Sequence, residues 1–372
     1  MQQSRPSPPA SHVLAFLLRA PAWAVWAVWA VWAVLGVGLA GCAVDRGVGG
    51  VGGVGSVGAM GAVGSEFRVQ RLPGAHGQPL QALYRSERVA PARYRVIVIP
   101  GSGCAGMGPW AERYFAGLLH AQVLVLHKPG VDVDSRTAPA DCSARFVRTD
   151  ALSTWRDHAR AALRAAAAQR AGGSLAQLPQ LLIGISEGAE LLPALAPEVA
   201  ALAGMVLIGA SGLDPLEAGT LQAQRLGAAA VAQWQALGAA QAAQAAQVVR
   251  ADAWPASAAD SAVQQGRSLR YWRDLWHWPL QAPLLAGPWP LLQVWGEADA
   301  LVPASAYGRF TLRAASRVAP YCPRPLAGAD HGLQRPAGPG GQGAHDGVQQ
   351  VWGWLENWGR APQQGLCAGL AP

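Results

Sequence analysis

Four short apolar runs, separated by stretches with helical spacing, constrain the fold of this chain most. The run at 95–99 is almost entirely β-branched, and further apolar runs follow at 123–126, 180–185 and 204–209. Such runs, without polar alternation, are typical of strands buried on both faces of a parallel sheet. The alternation of strands and helices therefore predicts an α/β domain built on a mostly parallel sheet.

The remaining elements follow from similar patterns. An alanine-rich stretch beginning at Ser153, a residue type that caps helices, predicts a long helix to about residue 169. Two short edge strands are expected at 66–72 and 79–86, further strands at 289–295 and 317–321, and further helices at 109–119, 186–195, 305–315 and 346–358.

The alternation breaks between residues 212 and 288, where the chain becomes rich in alanine and glutamine. This stretch is predicted to form a helical cap inserted into a domain that spans 66–360, with 361–372 as a tail. Near its end, Trp272, Leu275 and Trp276 share one helical face by their i, i+3, i+4 spacing. They form either the core of the cap or an apolar wall over a substrate cleft.

The sequence Gly-Ile-Ser-Glu-Gly at 184–188 directly follows one of the apolar runs. Glycines two residues before and after Ser186 allow a sharp turn from strand to helix, which exposes the hydroxyl at the end of the strand. A serine nucleophile also needs a base, and an acid that orients the base. In a chain with 45 glycines, the pentapeptide alone is weak evidence for a catalytic serine. The residues that follow it decide whether Ser186 has the partners that a nucleophile needs.

The acid and the base are expected after Ser186, in the order Asp or Glu, then His. Asp299 comes just past the strand at 289–295, and His331 lies in a glycine-flanked loop before the last helix. We therefore predict that Asp299 orients His331 and that His331 activates Ser186.

Alternatives remain open for both roles. In one alternative, Asp299 only caps a turn. In another, Glu297 or Asp214 takes the place of Asp299 as the acid. Besides His331, only His345 lies beyond the strand predicted at 289–295. His345 either acts as the base or helps to cap the last helix through Asp346.

Cleavage of a substrate by Ser186 also requires backbone N–H donors at the position where the oxyanion forms. One donor is expected to be the amide of Glu187. The other is expected in the loop of small residues at 100–106, from Ser102 or its neighbour Gly103.

With the serine elbow, Asp299 and His331 in this order, residues 66–360 resemble the alpha/beta-hydrolase fold and its serine esterases. The resemblance implies an eight-stranded, mostly parallel sheet with helices on both faces, no cofactor, and a small-molecule acyl substrate that Ser186 attacks to form an acyl-enzyme. The His-Gly oxyanion motif common in the family is replaced by Pro100-Gly101. That departure puts the identity of the second donor in doubt.

A carboxylic-ester hydrolase is the leading functional prediction. A thioesterase or a serine aminopeptidase uses the same residues, although the sequence has no acidic cluster to bind a free amino terminus. A non-catalytic lipoprotein that keeps the fold as a binding module is the alternative of another class.

Near the N-terminus, Arg5 and Arg19 precede an apolar stretch at 21–40, which leads through Leu-Ala-Gly into Cys42. With this pattern, residues 1–41 resemble a bacterial lipoprotein signal peptide. Cleavage before Cys42 would leave it as a lipidated first residue, tethered by the Gly/Val-rich segment 42–65 on the periplasmic side of a membrane, with the outer membrane favoured. An uncleaved transmembrane anchor is the alternative, because about 20 apolar residues span a bilayer.

Setting Cys42 aside leaves four of the five cysteines, an even number that suits an oxidising compartment. Of the three possible connectivities we favour Cys104 with Cys142 and Cys322 with Cys367, and buried free thiols are the alternative. No cysteine or histidine pair has the spacing of a metal site, so no metal is expected.

The net charge of +7 is scattered along the chain without a basic run, which gives no support to nucleic-acid binding. Lys128, the only lysine, is expected on the same rim as the serine elbow, either facing a substrate carboxylate or solvated in a loop. The histidines at 120, 127 and 158 are predicted to be surface or structural residues.

Overall fold

The computed structural model describes residues 66–138, 141–169, 177–250, 262–336 and 345–368, with only the backbone of 243–250. The predicted signal peptide, Cys42 and the tether at 42–65 lie outside the described residues. Within the described part, no helix combines the length and the apolar character needed to cross a membrane.

Eight strands form the central sheet: β1 (Arg68–Pro73), β2 (Pro79–Arg85), β3 (Tyr94–Ile99), β4 (Ala121–Leu126), β5 (Gln180–Ile185), β6 (Leu202–Ile208), β9 (Leu291–Gly296) and β10 (Tyr321–Leu326). Their order across the sheet is β1-β2-β4-β3-β5-β6-β9-β10. Strand β2 runs antiparallel to both of its neighbours, and all other pairs are parallel. Two short hairpins pair β7 (Val263–Gln264) with β8 (Arg267–Ser268), and β11 (Gln334–Arg335) with β12 (His345–Asp346).

The described α-helices are α1 (Gly108–Tyr114), α2 (Ala144–Thr149), α3 (Leu152–Ala168), α4 (Leu192–Leu195), α5 (Pro215–Leu226), α6 (Ala228–Arg250), α7 (Leu269–Trp276), α8 (Gln281–Ala286), α9 (Ala304–Ala314) and α10 (Gly347–Trp358). Short 3-10 helices cover Ala75–Gly77, Ser186–Leu191, Ala196–Glu198 and Pro362–Gln364. Helices α5 to α8 and the β7–β8 hairpin lie between β6 and β9, in the stretch predicted to be the cap.

Alternate side chains of the buried strands enter two apolar cores, one on each face of the sheet. On β3, Ile97 and Ile99 join the core that contains residues of α3 and α9, whereas Val96 and Val98 join the core that contains residues of α1 and α10. All six residues of β3 and all six of β4 are buried. Helices therefore cover both faces, as a mostly parallel sheet requires.

Two details of the predicted sheet are wrong. Strand β2 is an interior strand between β1 and β4, because Leu80, Ala82 and Leu83 are buried in the cores. The strand predicted at 317–321 begins only at Tyr321. Its sequence contains two prolines, which obscure the strand pattern but are tolerated in β10 because it lies at the edge of the sheet.

Two predicted helix positions also differ. Helix α3 begins at Leu152, so Ser153 lies inside the helix and does not cap it. The backbone amide of Ser153 donates to Asp274 Oδ2 at 2.8 Å. The segment after Ser186 is a 3-10 helix to Leu191 followed by the short α4, rather than one helix to residue 195.

Two disulfides join Cys104 to Cys142 and Cys322 to Cys367, which is the connectivity favoured by the sequence. The first links the loop after β3 to the segment ahead of α2. The second fastens the segment after α10 to β10. By restricting the unfolded chain, each contributes about 4 kcal/mol of stability in the loop-entropy description.

Candidate active site

The turn between β5 and the following 3-10 helix holds Ser186 in a strained conformation. Its φ of 50° lies in the left-handed region, which non-glycine residues rarely adopt. A Cβ on Gly184 would lie 2.3 Å from Ala189 Cα, and one on Gly188 would lie 2.2 Å from the carbonyl oxygen of Ile99. The two glycines are therefore required by close packing on both sides of the serine.

The structure brings Ser186, His331 and Asp299 into one hydrogen-bonded chain. His331 Nε2 lies 3.0 Å from Ser186 Oγ, and His331 Nδ1 lies 2.7 Å from Asp299 Oδ2. All three residues are buried, with exposures of 6%, 7% and 9% for Ser186, His331 and Asp299. The arrangement holds a hydroxyl, an imidazole and a carboxylate in the order needed to activate a serine.

Asp299 is fixed by hydrogen bonds to both of its oxygens. Oδ1 accepts from the amides of Leu301 (2.7 Å) and Val302 (3.0 Å), while Oδ2 also accepts from the hydroxyl of Tyr307 (2.8 Å). Burial alone would raise the pKa of Asp299, but the hydrogen bonds from His331, Val302 and Tyr307 outweigh it and lower this pKa. The aspartate is thus held as a carboxylate. Tyr307 lies in α9, the first helix after Asp299, and no motif in the sequence marks it for this role.

The alternative acids and base do not join this chain. Glu297 is exposed, and Asp214 Oδ1 accepts from the amides of Leu280 and Gln281. His345 Nε2 pairs with Gln350 at 2.8 Å near the surface. Asp346 caps α10, as the sequence analysis considered.

The loop after β3 lies against the serine elbow. A Cβ on Gly101 would lie 3.5 Å from Ser186 Cβ, so this backbone passes close to the hydroxyl. The amides of Ser102 and Gly103 donate to no acceptor within the described residues. Glu187 is the second residue of its 3-10 helix, where the backbone N–H has no partner within the helix. Both expected oxyanion donors are therefore near Ser186, and the choice between Ser102 and Gly103 stays a prediction.

His127, directly after β4, supports the end of the same loop. It is buried, and its Nε2 accepts from the amide of Met107 at 2.9 Å. Nδ1 is buried and has no partner within the described residues. Because burial disfavours the imidazolium, the pKa of His127 is lowered to about 4.

This histidine makes stability depend on pH. In the unfolded chain a histidine has a pKa of about 6.5, so between pH 6.5 and 4 the unfolded state binds more protons than the folded state. The contribution of neutral His127 is therefore present above pH 6.5 and is lost as the pH falls, by about 2 kcal/mol at pH 5. In His127→Gln, whose amide oxygen can replace Nε2 as acceptor, the decrease in unfolding free energy between pH 7 and pH 5 should be smaller by that amount. Urea unfolding of both proteins at both pH values measures the difference, and equal decreases would contradict it.

Four charged side chains form an ion-pair cluster beside the elbow: Lys128, Asp150 and Glu187, which are buried, and Arg267, which is partly buried. Lys128 Nζ donates to Glu187 and, at 3.0 Å, to Asp150, while Arg267 from β8 donates to Asp150 and lies near Glu187. Lys128 is only 3% exposed, and its ammonium lies 4.6 Å from the ring centre of Trp155. Both predictions for Lys128 are wrong, because it is neither solvated nor free to meet a substrate carboxylate.

The cluster links the elbow to the cap. Burial alone would raise the pKa of Glu187, but Lys128 and Arg267 lower it further than burial raises it. Tyr271 of α7 also donates to Glu187 at 3.2 Å. The residue after the serine is thus held by Lys128, which follows β4, and by side chains of β8 and α7.

A cavity of about 130 Å³ opens beside Ser186 under the helices that follow β6. Its walls include Trp234, Trp272 and Leu275, together with residues of α5. Trp272 also packs with Trp234 and Tyr271 in a small apolar cluster. The tryptophan face of α7 therefore serves both as cap core and as cavity wall. Among the described residues, no group of three His, Cys, Asp or Glu side chains is placed to hold a metal ion.

Comparison with solved structures identifies the fold. A puromycin hydrolase superposes on 81% of this chain with a TM-score of 0.50 and 12% sequence identity. This likeness, together with the eight-stranded, mostly parallel sheet described above, decides the assignment. This chain has the alpha/beta-hydrolase fold. The expected sheet, with helices on both faces, is thereby confirmed.

Two further solved structures resemble this chain. The esterase domain of a Rhodothermus marinus protein covers 81% of this chain and 100% of its own length, with a TM-score of 0.48 and 17% identity. A Mycobacterium tuberculosis puromycin-hydrolyzing peptidase covers 81% of this chain with a TM-score of 0.46 and 17% identity. The chain spans 40% of the length of each of the two puromycin-cleaving proteins. No protein-family model matches the sequence, and no curated protein matches it.

Proposed function

We propose that the protein is a serine hydrolase that cleaves a carboxylic ester through an acyl-enzyme. The observation that carries this proposal is the hydrogen-bonded chain from Asp299 through His331 to Ser186, with Ser186 on a strained turn at the end of a parallel strand. Strain of this kind persists where the surrounding structure enforces it, which is common at active sites.

In the proposed reaction, Ser186 Oγ attacks the acyl carbon while His331 Nε2 accepts the hydroxyl proton. The amides of Glu187 and Ser102 donate to the oxyanion of the tetrahedral intermediate, and each such donor accounts for roughly a hundredfold or more in rate. The intermediate collapses as His331 returns the proton to the leaving alcohol. A water, deprotonated by the same imidazole, then attacks the acyl-enzyme, and His331 passes that proton to Ser186 Oγ as the carboxylic acid is released. Asp299 holds His331 in the required tautomer throughout.

Turnover of short p-nitrophenyl esters, thioesters and aminoacyl anilides by the same preparation tests the choice of bond. The proposal expects the esters to have the highest kcat/KM. Preferential cleavage of thioesters or anilides would favour a thioesterase or an aminopeptidase on the same site. No turnover of any of them by folded protein would favour a non-catalytic binding module.

We further propose that the enzyme is an exported lipoprotein attached through Cys42 on the periplasmic side of a bacterial membrane. The two disulfides support an oxidising compartment. Cells expressing the full chain are fed an alkyne fatty acid, and the purified protein is then coupled to a fluorophore. The wild type should be labelled and begin at Cys42, whereas Cys42→Ser should carry no label. An unlabelled wild type that retains Met1 would instead indicate an uncleaved anchor.

A further inference from the structure

Glu190 lines the cavity beside Ser186 and carries a carboxyl group that has no partner among the described residues. The cavity walls are otherwise mainly apolar, with Trp234, Trp272 and Leu275 among them. Glu190 lies in the 3-10 helix that Ser186 begins, so its position is tied to that of the serine. Its carbonyl oxygen also accepts from Trp278 Nε1 at 2.7 Å, which fixes its backbone to the cap segment.

The side chain of Glu190 forms no hydrogen bond or ion pair within the described residues. One of its oxygens, Oε2, is fully buried. A carboxyl group removed from water without a donor costs several kcal/mol if it is charged. Burial, Glu187 and Asp214 together raise the pKa of Glu190 well above its usual range.

The nearby cations are committed elsewhere. Lys128 and Arg267 balance Asp150 and Glu187 within the ion-pair cluster, and Arg267 also lies over the ring of Tyr271. Although Arg267 lines the cavity, its guanidinium has both acidic partners already. The cavity therefore holds one acidic group more than its cations balance.

We propose that Glu190 binds an ammonium group on the part of the substrate that fills this cavity, while the tryptophan walls contact its carbon skeleton. The proposal rests on the proposed function and specifies its substrate class as amine-bearing carboxylic esters. A substrate ammonium would supply both the positive charge and the N–H donors that Glu190 lacks. Specificity of this kind is strong because the wrong substrate leaves a buried polar group unpaired.

Binding to the Ser186→Ala protein tests the subsite without catalysis. Phenethylammonium and 2-phenylethanol share one carbon skeleton, and isothermal titration calorimetry measures their dissociation constants. The ammonium should bind at least tenfold more tightly than the alcohol. Adding Glu190→Gln to the Ser186→Ala protein should remove that preference. The dissociation constant of the alcohol should stay within about twofold of its value for Ser186→Ala alone. Equal affinities for the two ligands, or a preference that survives Glu190→Gln, would overturn the proposal.

Glu190→Met serves as a second variant, and melting temperatures of both variants establish that they are folded. Ester turnover is measured separately with p-nitrophenyl butyrate. If the neutral ester is cleaved but the ammonium is not preferred, this inference fails and the proposed function stands. If the ammonium is preferred but neither p-nitrophenyl butyrate nor an amine-bearing p-nitrophenyl ester is cleaved, the proposed function fails and the binding subsite stands.

Discussion

Replacing Ser186 with alanine is expected to lower the kcat for ester hydrolysis on the order of 10⁵-fold. The variant loses the only hydroxyl within hydrogen-bond distance of His331 Nε2 among the described residues, so no acyl-enzyme forms. Activity that remains comes from substrate binding and the oxyanion donors alone. Initial rates with p-nitrophenyl butyrate, measured at saturating substrate, give this ratio.

Ser211 provides a matched control. It is buried and lines the same cavity, but its hydroxyl accepts from the amide of Leu213 rather than contacting an imidazole. Ser211→Ala should therefore keep its kcat within about tenfold of the wild type. Comparable losses in the two serine variants would mean that the hydrolysis does not depend on the chain from Asp299 to Ser186.

Replacing Lys128 with methionine is expected to lower the free energy of unfolding by about 3–5 kcal/mol. The substitution leaves Asp150 and Glu187 in the interior with only Arg267 to compensate them. Methionine preserves much of the side-chain volume, so the loss reports the missing charge, including the contact of the ammonium with the Trp155 ring. Urea unfolding at pH 7 measures it.

Arg164→Met removes one positive charge at the surface and serves as the control. Its guanidinium is 59% exposed and pairs with Glu198, an interaction expected to contribute at most about 1 kcal/mol. If Lys128→Met costs no more than this surface change, the ion-pair cluster does not stabilise the elbow. A large decrease in the free energy of unfolding would show that Lys128, the only lysine of the chain, has a structural role.

The fold could be predicted because its signals are local. Apolar runs of strand length lie directly in the sequence, and β5 was located at its observed bounds. The elbow depends on glycines within two residues of Ser186, and Asp299 and His331 follow in loops that begin where sheet strands end. The signal was weaker for β10, where prolines break the pattern, and for α3, where Ser153 imitates a cap.

The ion-pair cluster and the cavity could not be predicted from the sequence. Lys128 and Arg267 both reach Glu187 only because the segments after β4 and β5 and strand β8 come together in space, and no periodicity encodes those contacts. Tyr307 reaches Asp299 for a similar reason. The sequence contains no acidic cluster that would bind an amine, whereas the fold places Glu190, whose side chain has no partner among the described residues, in the wall of a mainly apolar cavity.

Labelling with a fluorophosphonate, followed by mass spectrometry of the modified peptide, tests the central claim most directly. The reagent phosphonylates a serine whose hydroxyl is activated, and it requires no knowledge of the substrate. We expect one adduct on the wild-type protein, located at Ser186, and none on the Ser186→Ala protein. A folded wild type that takes up no label, or a label at another residue that persists in Ser186→Ala, would contradict the account.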